Sequence, residues 1–226
     1  MCGRFTLTAD PGLVARRFGA PPPQGGGTRP RFNVAPAQTV ITVTDDGRRQ
    51  LELMRWGLIP AWAKDPAIGS RLINARAETL AEKPAFRAAL RRRRCLIPAD
   101  GFYEWTAGPD GKRRPMRIRL TSGQPFAFAG LWDEWRPPDG GPPVRTCTII
   151  TCAPNELMAT LHHRMPVILA PEAEAVWLDP SITDPERLLP LLVPYPADKL
   201  EAYPVSPLVN SPAHDSPQLV LPIDVA

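Results

Sequence analysis

The most specific chemistry in this sequence sits at its second residue. The chain opens Met1-Cys2-Gly3-Arg4-Phe5. Methionine aminopeptidases remove the first residue when the second side chain is small, and cysteine qualifies. Processing would leave Cys2 with a free α-amine and a thiol on adjacent carbons. That amine can condense with an aldehyde to a Schiff base, and the thiol can then close a five-membered thiazolidine. An internal cysteine cannot do this, because its nitrogen is an amide. An α-amino group titrates near about 7.7–8.0, so a useful neutral fraction exists at pH 7. The thiol would gain from cationic neighbours, and Arg4 stands two residues away. Taken alone, the position has an ordinary reading too: a cysteine that happens to follow methionine.

Three further segments combine polar and apolar residues in ways that suit a site. Leu72-Ile73-Asn74-Ala75-Arg76-Ala77-Glu78-Thr79 sets Asn74 and Arg76 just after an apolar pair. Ala99-Asp100-Gly101-Phe102-Tyr103-Glu104-Trp105 sets a carboxylate among aromatics, surroundings that raise a carboxyl pKa and suit a general acid or base. Alternation along that run also allows Glu104 to be a plain solvent-facing strand residue. Leu161-His162-His163-Arg164-Met165-Pro166 holds two of the three histidines beside an arginine, a pattern that a partly exposed turn also explains.

The elements that must carry these residues are legible in outline. Asp10-Pro11-Gly12 opens a short helix that Gly19 closes. A Pro/Gly-rich excursion covers residues 20–30. Residues 38–44 and 49–56 read as a hairpin about Asp45-Asp46-Gly47. Residues 82–94 read as a helix with Phe86 and Leu90 inward and Arg91 to Arg94 at its C-terminal end, where cations oppose the helix dipole; the same run also suits DNA contact. Strands dominate residues 95–151, with turns at 108–111, 122–123 and 137–143. Short helices follow at 154–159 and 171–178, and residues 200–225 alternate short strand-like pieces with prolines. Strands and helices do not alternate in the βαβ manner, so the fold class is α+β with mainly antiparallel sheets.

Composition narrows the class of protein. The 226 residues suit one domain over 1–226, and 43% hydrophobic content argues against disorder. No apolar stretch approaches the roughly 20 residues of a spanning helix, and the first residues do not read as a signal peptide, so a cytoplasmic protein with no membrane partner is expected. The net charge is +4, and 23 of the 27 basic residues are arginine, compatible with a polyanionic partner. The four cysteines, Cys2, Cys95, Cys147 and Cys152, match no zinc spacing, so no metal or other cofactor is called for. Cys95 and Cys147 lie in apolar runs and read as small buried hydrophobes.

The segments MCGRF, FNVAP, RWGLIPAW, INARAET, PADGFYEW, HHRMP and PVSPLVN occur in this order. Together they resemble the SOS-response-associated peptidase family of abasic-site processing proteins, over nearly the whole chain. The resemblance implies an α+β fold with an open barrel-like core of antiparallel sheets and peripheral short helices. It implies that the initiator methionine is lost and that Cys2 crosslinks to the ring-opened aldehyde of an abasic site in single-stranded DNA, shielding the lesion. Asn74 would hold the cysteine backbone, Glu104 would shuttle protons, and His162, which begins the family's H-x-R-x-P pattern, would act on the sugar oxygen. His163 is a second candidate for that role. Arg4, Arg76 and Arg164 would hold phosphates, and Asn33 and Pro36 would line the channel. Trp62 and Trp105 would stack on bases, although core packing explains either tryptophan as well. The implied partner is single-stranded DNA at replication forks or strand junctions, bound by a monomer. A peptidase or amidase with an N-terminal cysteine nucleophile, strand cleavage by β-elimination, and a non-catalytic DNA-binding module are the competing readings.

Overall fold

The computed structural model describes residues 2–21, 29–108 and 111–224. Cleavage after Met1, most of the Pro/Gly-rich excursion, the tip of the 108–111 turn and the end of the tail lie outside the described residues. In chain order the elements are β1 (Phe5–Leu7), α1 (Pro11–Phe18), β2 (Arg31–Val34), β3 (Thr39–Asp45), β4 (Arg49–Trp56), β5 (Asn74–Arg76), α2 (Arg87–Arg92), β6 (Arg94–Ala99), β7 (Gly101–Ala107), β8 (Arg113–Leu120), β9 (Phe126–Trp135), β10 (Val144–Cys152), α3 (Glu156–Ala159), β11 (Met165–Pro166), β12 (Ile168–Leu169), α4 (Pro171–Leu178), α5 (Pro185–Leu188) and β13 (Leu200–Pro204). No helix among the described residues is long and apolar enough to cross a membrane.

Local chemistry explains most of these boundaries. The Asp10 carboxylate accepts from the Gly12 and Leu13 amides, Pro11 takes the first helical position, and Gly19 ends α1 in the left-handed region at φ 62°. The β-branched run of β3 pairs in register with β4, from Thr39 opposite Arg55 to Asp45 opposite Arg49. The helix expected over 82–94 is shorter, because Pro84 cannot continue a helical ladder; residues 80–82 and 84–86 form turns and α2 begins at Arg87. Phe86 and Leu90 are buried as expected. The arginine run does not all lie at the helix end: Arg91 and Arg92 are exposed, but Arg94 starts β6 and is buried. Its guanidinium donates to the carbonyls of Leu90, Arg91, Trp177 and Asp179, closing the C-terminal ends of α2 and α4 together.

Two sheets make the frame. In the larger one, β3 pairs with β4, β4 with β10, β10 with β9, β9 with β6, and β6 with β3, so five strands close into a ring. The α+β class and antiparallel character follow the sequence reading, and the barrel-like core closes rather than staying open. Closure removes exposed sheet edges. Among the described residues, only β4 and β5 run parallel to β10. Cys95 and Cys147 are wholly buried in this core, and burial pushes both thiols up in pKa, as small buried hydrophobes should behave. The second sheet is antiparallel, in the order β13-β8-β7-β1-β2. One of its faces packs on the barrel: the Phe5 ring lies 5.3 Å from Trp56 and 5.8 Å from Phe128, and Phe102 lies 6.0 Å from Phe128. The opposite face carries Tyr103 and Trp105 against Val205, Val209 and Leu219.

Candidate functional site

The site forms where the start of the chain enters between the two sheets. Strand β1 is antiparallel to β7, with Phe5 opposite Phe102 and Thr6 opposite Gly101. The Tyr103 amide donates to the Arg4 carbonyl at 3.0 Å, and continuing this register sets Gly3 beside Glu104. Side chains alternate along β7, so Glu104 shares the barrel-facing side with Phe102. Glu104 is therefore buried and does not face solvent. Burial raises its carboxyl pKa above the ordinary value.

Cys2 is wholly buried at the end of this ladder. Its thiol contacts the Arg4 carbonyl at 3.8 Å. Burial, and then the nearby Glu104 charge, push the thiol well above its usual pKa. Asn74 holds the backbone of the same residue: its Nδ2 donates to the Cys2 carbonyl at 2.9 Å. Among the described residues, the Oδ1 of Asn74 is buried and accepts no hydrogen bond. Asn74 is fixed by β5, which lies parallel to β10 with Asn74 opposite Ile149. The excursion from β4 to β5 is itself pinned by glycines. Gly57 has φ 122°, and a Cβ there would come within 2.8 Å of the Gly69 carbonyl oxygen.

His162 reaches the site from the loop after α3. Its Nδ1 lies 3.0 Å from the Arg164 amide nitrogen and 3.2 Å from the Arg164 carbonyl oxygen, so the backbone of Arg164 fixes the ring. Burial holds its pKa below the ordinary value, and His163, stacked at 4.3 Å, adds to this. The charge of Arg113, at the start of β8, helps to lower the pKa of His162 and opposes the burial that raises that of Glu104. His163 is exposed.

The other sequence-derived residues divide into three kinds. Arg76 and Trp62 are exposed, Trp62 with 60% of its surface open on the turn that follows Pro60, while Pro36 is half-buried on the turn that carries Ala37 at φ 67°. Arg4, Asn33 and Trp105 are occupied within the protein. The Arg4 guanidinium donates to Asn33 Oδ1 at 2.8 Å and to the Val209 and Asn210 carbonyls at 2.6 and 3.1 Å. Asn33 is wholly buried and donates to the carbonyls of Val209, Ser211 and His214, so it braces the tail and does not line an open channel. Trp105 is half-buried, with its Nε1 on Asn210 Oδ1 at 2.7 Å. Arg164 is held inside the site: its guanidinium makes two bonds to Glu78, at 2.6 and 2.9 Å, and one to the Thr151 carbonyl at 2.7 Å.

Sequence reasoning missed Glu78, Thr151, Arg113 and Asn210 as partners of the site. Glu78 and Asn210 stood in segments already singled out, INARAET and PVSPLVN. Their roles depend on contacts between residues 86 and 105 positions apart, which no local pattern carries.

Known proteins resemble the chain over almost its whole length. The chain is 53% identical over 223 residues to the abasic site processing protein YoqW of Bacillus subtilis (strain 168), covering 97% of this chain and 99% of that one. It is 32% identical to the abasic site processing protein HMCES of Gallus gallus, covering all of this chain and 79% of that one. A crystal structure of a Bacteroides thetaiotaomicron protein superposes with a TM-score of 0.89 at 29% identity, over 98% of this chain and 100% of that one. The family model described as SOS response associated peptidase matches residues 1–212, and the chain belongs to that family.

Proposed function

We propose that this protein captures abasic sites in single-stranded DNA by covalent attachment to Cys2, once Met1 has been removed. The observation that carries this reading is the double hold on Cys2: Asn74 fixes its carbonyl, and Glu104 lies buried beside it. The unspent Oδ1 of Asn74 is an acceptor suited to the α-amine that processing would release.

The electrostatics support an order of steps. A buried thiol next to a carboxylate stays protonated, so the α-amine is the first nucleophile. The amine attacks C1′ of the opened sugar, the carbonyl oxygen departs as water, and an imine forms. The thiol sulfur then bonds to the imine carbon, and its proton ends on the nitrogen, with Glu104 as the carrier. His162, whose pKa burial lowers, serves the ring opening by donating to the sugar oxygen. The exposed Arg76 and Trp62 supply the strand path through phosphate contact and base stacking, and Pro36 lines it.

Intact-mass spectrometry tests the reading. Purified protein is expected to lack Met1, and to gain the mass of an abasic single-stranded oligonucleotide less one water. Cys2→Ala gives no adduct. Turnover of peptides with no adduct on abasic DNA would replace this reading with that of a peptidase.

A further inference from the structure

Glu78 makes contacts that neither the fold nor the proposed reaction requires. It follows β5 directly, four residues after Asn74. Both of its carboxylate oxygens meet the Arg164 guanidinium, Oε1 on Nη1 at 2.6 Å and Oε2 on Nη2 at 2.9 Å. Glu78 keeps 52% of its side-chain surface open, whereas Arg164 keeps 14%. The carboxylate thus covers the outward end of the guanidinium from the solvent side. A planar fork closed by two anionic oxygens is also how arginine grips a phosphate. Glu78 therefore occupies the position on Arg164 where a DNA phosphate would bind.

The same contact reaches the reacting groups. Arg164 also donates to the Thr151 carbonyl, and Thr151 lies opposite Arg76 in the β5–β10 ladder. The main-chain amide of Arg164 donates to His162 Nδ1. Through Glu78 and Arg164, then, the turn that carries His162 is fastened to the strand that carries Asn74. Ion pairing with Arg164 holds the Glu78 carboxyl below the ordinary range, so the pair stays charged throughout the neutral region.

The geometry points to Glu78 as a positioning residue that competes with the DNA backbone for Arg164. It gives up affinity for any single strand in return for a fixed His162. This rests on the proposed DNA reading but adds a residue and a direction. Removing the carboxylate frees Arg164 for phosphate and removes a negative charge facing the strand, while loosening the His162 turn. Binding and chemistry should then move in opposite directions. A residue that merely stabilised the fold would depress both.

The test uses the full chain with Glu78→Ala and Glu78→Gln, alongside wild type. Fluorescence anisotropy with an undamaged single-stranded oligonucleotide, across a salt series, reads binding. Both variants are expected to bind several-fold tighter, with the log–log salt slope steeper by about 0.7, one phosphate contact on a single strand. Adduct formation with abasic DNA is expected to slow about ten-fold in Glu78→Ala, the scale of a displaced catalytic group, and less in Glu78→Gln, which keeps one acceptor oxygen. Binding that is weaker or unchanged in the folded Glu78→Gln protein overturns the inference, and so does an unchanged adduct rate in both variants. If wild type forms no adduct at all, the covalent reading fails separately, and the anisotropy series still decides whether Glu78 competes for Arg164.

Discussion

Two buried carboxylates stand four residues apart around β7, and the protein treats them in opposite ways. Asp100 and Glu104 are almost equally inaccessible, with 8% and 3% of their surface exposed. Asp100 is saturated: it accepts from the hydroxyls of Thr6 and Thr8 at 2.6 and 2.7 Å, from the Thr8 and Ala9 amides, and from Arg117 at 3.4 Å. Arg117 in turn donates to the Tyr203 hydroxyl at 2.6 Å. Glu104 lies on the other face, near the Cys2 thiol, and burial raises its pKa. The difference separates structure from chemistry. A saturated buried ion has no capacity left for a substrate, whereas a carboxylate disfavoured in its charged form is ready to exchange a proton.

The sharpest way to break this contrast is to substitute each carboxylate by its amide. Asp100→Asn should cost about 3–5 kcal/mol of stability in urea denaturation, because it leaves Arg117 charged and buried without its counter-ion. The adduct rate of the molecules that remain folded should stay close to wild type. Glu104→Gln should do the reverse and slow adduct formation by about 100-fold or more, the usual scale for losing a general acid or base. It should also stabilise the protein at neutral pH. The sign follows from the raised pKa: ionised Glu104 costs folding energy above its folded pKa, and that cost is absent below the unfolded pKa of about 4.3. A gain of about 2–4 °C in melting temperature at pH 7, shrinking towards zero near pH 4, is therefore expected for Glu104→Gln. A loss of melting temperature at pH 7 would mean that Glu104 resembles Asp100 and that the contrast is false.

Much of this contrast could be read before any coordinates, though not all of it. The aromatic setting of Glu104 announced a perturbed carboxyl, and the cap residues Asp10 and Gly19 announced α1, because both signals are local. Asp100 gave no such signal, since its partners Thr6, Thr8 and Arg117 come from other strands and only pairing gathers them. Arg94 misled for the same reason: four arginines in a row read as one helix end or a DNA contact until α4 delivers carbonyls to the last of them. Asn33 read as a channel residue because its segment matched the family, yet its amide is wholly spent on tail carbonyls more than 170 residues away. Pattern identifies residues worth keeping. Whether they are kept for binding or for bracing is decided by long-range contacts.

Asn74 tests the contrast at its finest grain, because one side chain combines both treatments. Its Nδ2 is spent on the Cys2 carbonyl, and its Oδ1 is buried with no partner. Asn74→Ala removes the clamp together with the buried unmatched oxygen. Losing the net hydrogen bond to the Cys2 carbonyl costs about 1 kcal/mol, so melting temperature should fall by only about 2–4 °C. The adduct rate should fall about ten-fold, since one held nucleophile loses its orientation while Glu104 and His162 stay in place. Asn74→Asp sharpens the point. It keeps the shape but replaces the Nδ2 donor with a second acceptor, which repels the Cys2 carbonyl and adds a charge beside Glu104. It should therefore lose more rate than Asn74→Ala and shift the pH profile of adduct formation upward, because a second carboxylate makes deprotonation of Glu104 harder. A profile that stays at the wild-type position would show that Asn74 and Glu104 do not share one electrostatic site, and the division between bracing and reacting groups would have to be redrawn around Cys2 alone.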